Sequence, residues 1–384
     1  MIMVVTIRGG IMLINQAKEK GGKFTYTEIM QQPDIWLKVY DLYMERKNDI
    51  DAFLKNVGDD AKVIFTGAGT SEYVGNIACE YLKSLDDKFV SIATTDLVSS
   101  PYLHFKKDQK TLLVSFARSG NSPESLAAVE LGDQIVDDFY NLAITCAPDG
   151  KLAEKLYKDE KSYVFIEPEG TNDKSFAMTS SFSSMLLSTL LIFDQRDNKE
   201  EIVKTLAKLG QEVVDRKEEV EKLVDLDFDR IVYLGSGPLY RLTREAGLKI
   251  LELTAGEVVA INESSMGFRH GPKSIINDET IIVSFVSENE YTKLYDLDIL
   301  EEIHMDKIAK RVVSISNQKY GKDWEEFVLE SKEIEDVYLA LAYIMVAQII
   351  GLVTSLKIGN TPDDPSKSKT VNRVVKGVTI HEYK

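Results

Sequence analysis

Three groups of residues in this chain of 384 have types and spacings suited to chemistry. The first is a pair of turns rich in small hydroxyl side chains. In "FTGAGTSEY", Gly67 and Gly69 permit a tight turn, and Thr70 and Ser71 follow at the start of a helix. In "TLLVSFARSGNSPES", an apolar run leads into Arg118, Ser119, Gly120, Asn121 and Ser122, with Pro123 suited to the first helical position and Ser122 to the cap. Free backbone amides, hydroxyl donors and the positive end of a helix dipole converge on such turns, and that combination suits a phosphate. Plain capping accounts for either turn alone; two at neighbouring strand ends point to a shared anion. Neither is a nucleotide fingerprint, because GxxxxGK is absent and "GAGTSE" lacks the third glycine of GxGxxG.

The second group lies on a helical stretch, "REAGLKILEL". Leu242, Ala246, Ile250 and Leu253 mark its buried stripe, so Glu245, Lys249 and Glu252 share a neighbouring stripe at i, i+4 and i+7. Spacing alone describes a salt-bridged surface row equally well. The third is His270 in "GFRHGPKS", where a histidine before Gly-Pro sits in a constrained loop, a placement that suits a proton-transfer group. An idle loop histidine is the plainer reading. His104, His304 and His381 lack such a context, and none of the four has metal-ligand spacing, so a reaction without metal or cofactor is expected.

The elements that must position these residues are legible as a rhythm. From Lys62 onward, short apolar runs ("KVIF", "FVSIATT", "TLLVSF", "NLAITC", "YVFIE") alternate with helical segments, the pattern of a parallel sheet covered on both faces. The pattern then repeats: "KVIFTGAGTSEYV" has a counterpart in "RIVYLGSGPLYRL", "TLLVSFARSGN" in "TIIVSFVSENE", and "NLAITCAP" in "RVVSISNQ". The offsets stay between 168 and 170 residues, which implies two copies of one α/β unit. Thr25 and Glu28 have capping-box spacing ahead of a helical segment from Pro33 to Val57. The expected organisation is an N-terminal extension and helical lead-in over 1–57, a first α/β domain over 58–197, and a connecting helix over 198–227. A second domain over 228–360 and a tail over 361–384 complete it. In such sheets ligands bind beyond the carboxyl ends of the strands, where both hydroxyl-rich turns fall.

Composition narrows the partners. A net charge of -16 and a pI near 4.9 repel polyanions, so nucleic acid and anionic membrane surfaces are not expected to bind. Two uncharged runs, Ser175 to Phe193 and Val337 to Leu356, approach a bilayer-spanning length; their hydroxyl, amide and glycine content favours buried helices. The apolar start, "MIMVVTIRGGIMLINQ", lacks the basic end and cleavage site of a leader. Cys79 and Cys146 are far apart and suit a reduced cytoplasmic setting.

The motif "SFARSGNSPES", with "FTGAGTSEY" and the duplication, resembles the sugar isomerase (SIS) domain, which binds sugar phosphates. The fold implied is two tandem SIS domains, each a flavodoxin-like three-layer sandwich. The stretches "LKILELTAGEVVAINESSMGFRHGPKSIINDET" and "GNTPDDPSKSKTVNRVVKGVTIH" resemble the tagatose-6-phosphate ketose/aldose isomerase family, which includes galactosamine-6-phosphate deaminase/isomerases. More distantly, the chain is similar to the isomerase half of glucosamine-6-phosphate synthase.

That resemblance implies phosphate binding by Ser71, Ser119 and Ser122; the reading of the two turns adds Gly69, Thr70 and Asn121. Ala117 stands where the broad motif has serine, and Arg118 could replace the lost donor by a charge-assisted bond. It further implies Glu252 as the base for a 1,2-proton transfer, Lys249 as stabiliser of the enediol oxygen, and His270 in ring opening. Lys376 matches a tail lysine that reaches the sugar. Relatives build such sites across a homodimer interface, with the histidine from the neighbouring chain. The expected activity is deamination of an amino-sugar phosphate, galactosamine 6-phosphate foremost. Deglycation of fructosamine phosphates and non-catalytic sugar-phosphate sensing are the alternatives; Glu252, His270 and the lack of a basic helix-turn-helix disfavour the sensor.

Overall fold

Six strands are apolar along nearly their whole length and are buried on both faces, which obliges them to lie inside parallel sheets with helices on either side. The computed structural model describes residues 12–331, 334–375 and 377–384. Two helices lead in, α1 (Lys23–Met30) and α2 (Gln32–Val57). The first sheet unit follows as β1 (Lys62–Thr66), α3 (Thr70–Leu85), β2 (Phe89–Ser91), α4 (Thr94–Ser99), α5 (Pro101–His104), β3 (Thr111–Ala117) and α6 (Pro123–Ile135). It ends with β4 (Phe139–Thr145), α7 (Lys151–Leu156), β5 (Ser162–Ile166) and α8 (Ser180–Phe193). After α9 (Lys199–Asp215) and α10 (Lys217–Lys222) come β6 (Arg230–Gly235), α11 (Gly237–Leu253), β7 (Val259–Ser264), β8 (Thr280–Phe285) and α12 (Thr292–Asp306). The last elements are β9 (Arg311–Ser316), β10 (Glu325–Val328) and α13 (Asp336–Lys357).

Both sheets are parallel and five-stranded, with orders β2-β1-β3-β4-β5 and β10-β9-β8-β6-β7. Read from its own first strand, each has the flavodoxin-like order 2-1-3-4-5. The chain therefore is an α/β protein of two SIS-like lobes in tandem, preceded by helices. The order reverses direction between β1 and β3 in the first lobe, and between β6 and β8 in the second. Loops leaving those strand pairs diverge and leave a crevice at their carboxyl ends.

Two local expectations change, and two strands were not anticipated. Thr25 and Glu28 form no capping box: α1 starts at Lys23, and Asp363 reaches back from the tail to accept the amides of Phe24 (3.0 Å) and Thr25 (2.8 Å). A distant carboxylate thus supplies the anion that the helix N-terminus requires. The expected single connecting helix is two, broken at Arg216, whose guanidinium binds the Val328 carbonyl at 2.6 Å. The strands β7 and β10 were not foreseen. The reading of residues 1–11 lies outside the described residues.

The two uncharged runs become α8 and α13, and every residue of α8 and of 337–356 is buried. The helix α13 is long and apolar enough to cross a membrane, yet it runs wholly inside the protein against α11, α9 and α8. Across the lobes, α11 packs on α3, with ion pairs from Arg244 to Glu72 (3.1 Å) and Arg241 to Glu80 (2.9 Å).

At the end of β1, a Cβ on Gly67 would stand 2.5 Å from the Ser71 carbonyl carbon and 2.6 Å from its oxygen. Only glycine lets the first turn of α3 fold back onto the strand this closely. Gly67→Ala is expected to cost about 1–3 kcal/mol of stability in urea unfolding, because backbone must move. A variant as stable as wild type would contradict that close approach.

Candidate active site

The first-lobe crevice is bounded by the two turns singled out from the sequence. Gly69, at φ 58°, ends the β1 turn in the left-handed region and precedes Thr70 and Ser71, which are nearly buried in the first turn of α3. The Ser71 hydroxyl lies 3.9 Å from Met178 Sδ. On the β3 side, Gly120 also has positive φ (64°) and packs 3.5 Å from Gly150 Cα where a Cβ would stand. Ser119 Oγ accepts the Asn121 amide at 3.4 Å, and Asn121 Oδ1 accepts the Lys151 amide at 3.2 Å. Pro123 opens α6 as expected and Ser122 is its N-cap residue, but the Ser122 hydroxyl pairs with Ser125 Oγ at 2.6 Å and makes no capping bond.

The helix α11 brings its polar stripe to this crevice from the other lobe. Its first turn follows Ser236 and contains Pro238, and its apolar stripe is buried against α13 and β6, so the stripe carrying Glu245, Lys249 and Glu252 turns toward α3. It is not a surface row. The Lys249 ammonium is fully buried, 3.2 Å from Glu245 Oε1 and 2.6 Å from Glu252 Oε2. It donates to Thr70 Oγ1 at 3.1 Å and to the Met178 carbonyl at 3.3 Å. Burial would depress its pKa, but the two carboxylates reverse that and raise it. Glu245, fully buried, is pushed up to about 7 by burial, with Glu252 adding to the shift and Lys249 opposing it. One cation thus faces two carboxyl groups, one of which readily holds a proton near neutral pH. Glu252 alone of the three keeps partial exposure, 22% of its side chain.

Arg118 is buried, and its guanidinium is taken up by backbone carbonyls. Its guanidinium donates to the carbonyls of Phe176 (3.1 Å), Ser175 (3.4 Å) and Arg373 (2.8 Å). Arg373 in turn donates to the Asp173 carbonyl and to Asn172 Oδ1 (3.0 Å). The tail therefore crosses the first lobe, tied by two arginines. Lys376 lies outside the described residues. A cavity of about 540 Å³ opens beside Glu252, walled by Phe176, Leu248 and Leu251 on one side and Ser366, Thr370 and Val371 of the tail on the other.

His270 is not brought to this crevice by any contact within the chain. It follows a 3-10 turn (Gly267–Arg269) beside β7, its side chain is exposed, and among the described residues nothing pairs with the imidazole. Reasoning from the sequence gave no role to Arg373 or Asp173. Asp173 accepts the amides of Thr179, Ser180 and Ser181 at 2.8–3.1 Å and so fixes the start of α8. Only the hydroxyl cluster around Thr179 could have signalled that cap. Among the described residues, no group of three or more His, Cys, Asp or Glu is arranged to hold a metal ion.

Two SIS-like lobes, hydroxyl-rich turns at a switch point and a buried Glu-Lys-Glu stripe define a sugar-isomerase-type protein, and comparison with known proteins narrows the class. No protein-family model matches the chain. D-galactosamine-6-phosphate deaminase AgaS of Shewanella sp. (strain ANA-3) is 38% identical over 374 residues, covering 96% of this chain and 94% of the relative. The crystal structure of tagatose-6-phosphate ketose/aldose isomerase from Escherichia coli superimposes with a TM-score of 0.88 at 37% identity, over 94% of this chain and 98% of that one. Glutamine–fructose-6-phosphate aminotransferase of Sulfolobus acidocaldarius is more distant, 27% identical over 92% of this chain and 57% of its own length. The chain belongs to the AgaS galactosamine-6-phosphate deaminase / tagatose-6-phosphate ketose/aldose isomerase family.

Beneath the site lies a buried polar layer that the chemistry does not use. Glu167, just past β5, is 4% exposed, and neither carboxyl oxygen has a hydrogen-bond partner. The neighbouring Ser188 hydroxyl offsets only part of the cost of burying it. Burial pushes Glu167 up to about 8. Between about pH 4.5 and that value the folded chain keeps a proton that the unfolded chain has lost, so this residue makes stability fall as pH rises through the window. Glu167→Gln is expected to remove that decline, gaining on wild type by an amount on the order of a few kcal/mol from about pH 5 to pH 8. Urea unfolding of both proteins across that range tests it; parallel curves would mean that Glu167 is ionised in the native state.

Proposed function

We propose that this chain converts D-galactosamine 6-phosphate to tagatose 6-phosphate and ammonia. The observation that carries the reading is the Lys249 to Thr70 bond, which ties the carboxylates of α11 to the hydroxyl-rich turn of the first lobe. The activity of the AgaS relative supplies the substrate.

The phosphate is held by Thr70 and Ser71 at the start of α3 and by Ser119, Asn121 and Ser122 before α6, with the backbone after Gly69 turned toward it. Arg118 contributes by fixing the tail over that turn, through the Arg373 carbonyl. With the sugar open, Glu252 removes the proton from C2, and Lys249 stabilises the negative charge that develops at the C1 oxygen. Glu252 then returns the proton to C1 on the same face. The product is a C2 ketimine, and water adds to its carbon, releasing ammonia and leaving the ketose phosphate.

His270 opens the ring as a proton shuttle between the anomeric hydroxyl and ring oxygen, and it acts in the site of a second protomer. Support for that dimer comes from β7, an edge strand partly exposed along its length, and from exposed Leu251, Val259 and Met266 close to it in the chain. We place the enzyme in the cytoplasm, where sugar phosphates are made and free thiols such as Cys79 and Cys146 stay reduced.

Glu252→Gln is expected to lower ammonia release from galactosamine 6-phosphate by about 10²–10⁴-fold while sugar-phosphate binding persists; activity within about tenfold of wild type would remove Glu252 as the base. For the shared site, co-expressed Glu252→Gln and His270→Ala chains should recover up to about a quarter of wild-type activity, since half of the sites in mixed dimers are intact. No recovery would place all catalytic groups in one chain.

A further inference from the structure

The two lobes repeat one architecture, yet their crevices are filled differently. Gly67-Ala68-Gly69 in the first corresponds to Gly235-Ser236-Gly237 in the second. Thr94, whose amide binds the Gly67 carbonyl at 2.8 Å, corresponds to Ser265, whose amide binds the Gly235 carbonyl at 3.0 Å. Arg118 corresponds to Ser287. The fifth residue of α6 is Ala127, and the fifth of α12 is Asp296.

Asp296 is fully buried and lies at the second switch point. Its Oδ1 accepts the hydroxyls of Ser236 and Ser265, each at 2.5 Å, and its Oδ2 accepts the Ser287 amide at 2.9 Å. The donors come from the loops after β6, β7 and β8, the three strands around the reversal. One of them, Ser236, is the N-cap residue of α11. The Ser287 hydroxyl and the Glu288 amide are engaged by a second internal carboxylate, Asp336, at 2.5 and 2.7 Å. In the first lobe the same place has only the methyl group of Ala127, and the buried Thr94 hydroxyl has no partner.

We propose that Asp296 is a resident anion: in the second lobe it occupies the place that substrate phosphate takes in the first, and by anchoring the start of α11 it keeps Glu245, Lys249 and Glu252 in register. It is a positioning residue, acting through the helix. Each chain then binds one phosphate, in its first lobe, and the catalytic helix is braced by charge before substrate arrives. The proposal rests on the phosphate reading of the first lobe. Glu252 stands fifteen residues beyond Gly237, about 22 Å along the helix, so a small tilt at the start is a large displacement at the carboxylate.

The test compares Asp296→Ala, Asp296→Asn and wild type for ammonia release and thermal melting, with and without formate. Asp296→Ala should lose about tenfold or more in kcat with KM within about twofold, and formate should recover part of both activity and melting temperature. Asp296→Asn, which fills the space without charge, should lose kcat and gain nothing from formate. A folded Asp296→Ala with wild-type kcat, or formate gains equal in both variants, would overturn the proposal. Should neither variant fold, equilibrium dialysis of wild type with inorganic phosphate decides: one phosphate per chain, lost in Ser119→Ala, is expected, and two per chain would overturn it. When Asp296→Ala folds, its formate response judges Asp296 even if wild type binds no phosphate, a result that would sink only the first-lobe reading; when neither variant folds, no bound phosphate overturns both.

Discussion

A lysine ammonium with no access to solvent must be matched by charge and hydrogen bonds or it would release its proton or unfold its surroundings. Lys249 meets that demand with Glu245 and Glu252 on its own helix, and with Thr70 and the Met178 carbonyl from the first lobe. Its last donors can be satisfied only when the lobes are docked. The interaction that neutralises a buried charge therefore also fixes the distance between the hydroxyl-rich turn and the carboxylates of α11. Separating the lobes would strand a cation between two glutamates, and this cost makes the relative placement of turn and carboxylates a property of the fold.

Duplication supplied two crevices of equal geometry, and side-chain chemistry made them unequal. In the first lobe, small residues and hydroxyls surround the switch point, and Glu252 approaches from the other lobe through Lys249 and Thr70. The second lobe places Asp296 and Asp336 against its own serine hydroxyls and backbone amides. Both sites obey one rule, that converging donors at strand ends require an anion. On the proposed reading, one lobe takes it from solution and the other from its own chain.

Much of this was readable from the residues. The apolar runs at β1, β3, β4, β6, β8 and β9 are buried on both faces, so composition alone marks them as strands. The sequences of β7 ("VAINES") and β10 ("EEFV") mix charge and apolar residues because each lies at a sheet edge with one flank unpaired, and no run announces them. The i, i+4, i+7 spacing placed Glu245, Lys249 and Glu252 on one stripe, but spacing is blind to what covers a stripe. Only the packing of α11 on α3 turns a surface row into a buried triad. Arg118 was legible as a donor and not by direction, since its carbonyl partners at 175, 176 and 373 lie far along the chain. The capping box at Thr25 failed for the same reason: the winning cap, Asp363, is separated from it by nearly the whole sequence.

Those long-range bonds form a continuous path around the first lobe. Asp363 holds the start of α1, and Glu28 on α1 accepts the amides of Lys174 (2.6 Å) and Ser175 (3.2 Å). The carbonyl of that same Ser175 accepts Arg118, which also binds the Arg373 carbonyl, and Arg373 returns to the carbonyl of Asp173. Lead-in helix, loop, hydroxyl-rich turn and tail are thereby linked without a single contact between adjacent stretches of sequence. Asn360 extends the path to α11 by donating to the Leu253 carbonyl at 3.0 Å, at the end of that helix. A helix braced at one end by Asp296 and at the other by the segment that becomes the tail has little freedom to shift. The segments outside the two sheets are, on this geometry, what converts two ordinary α/β lobes into a single site.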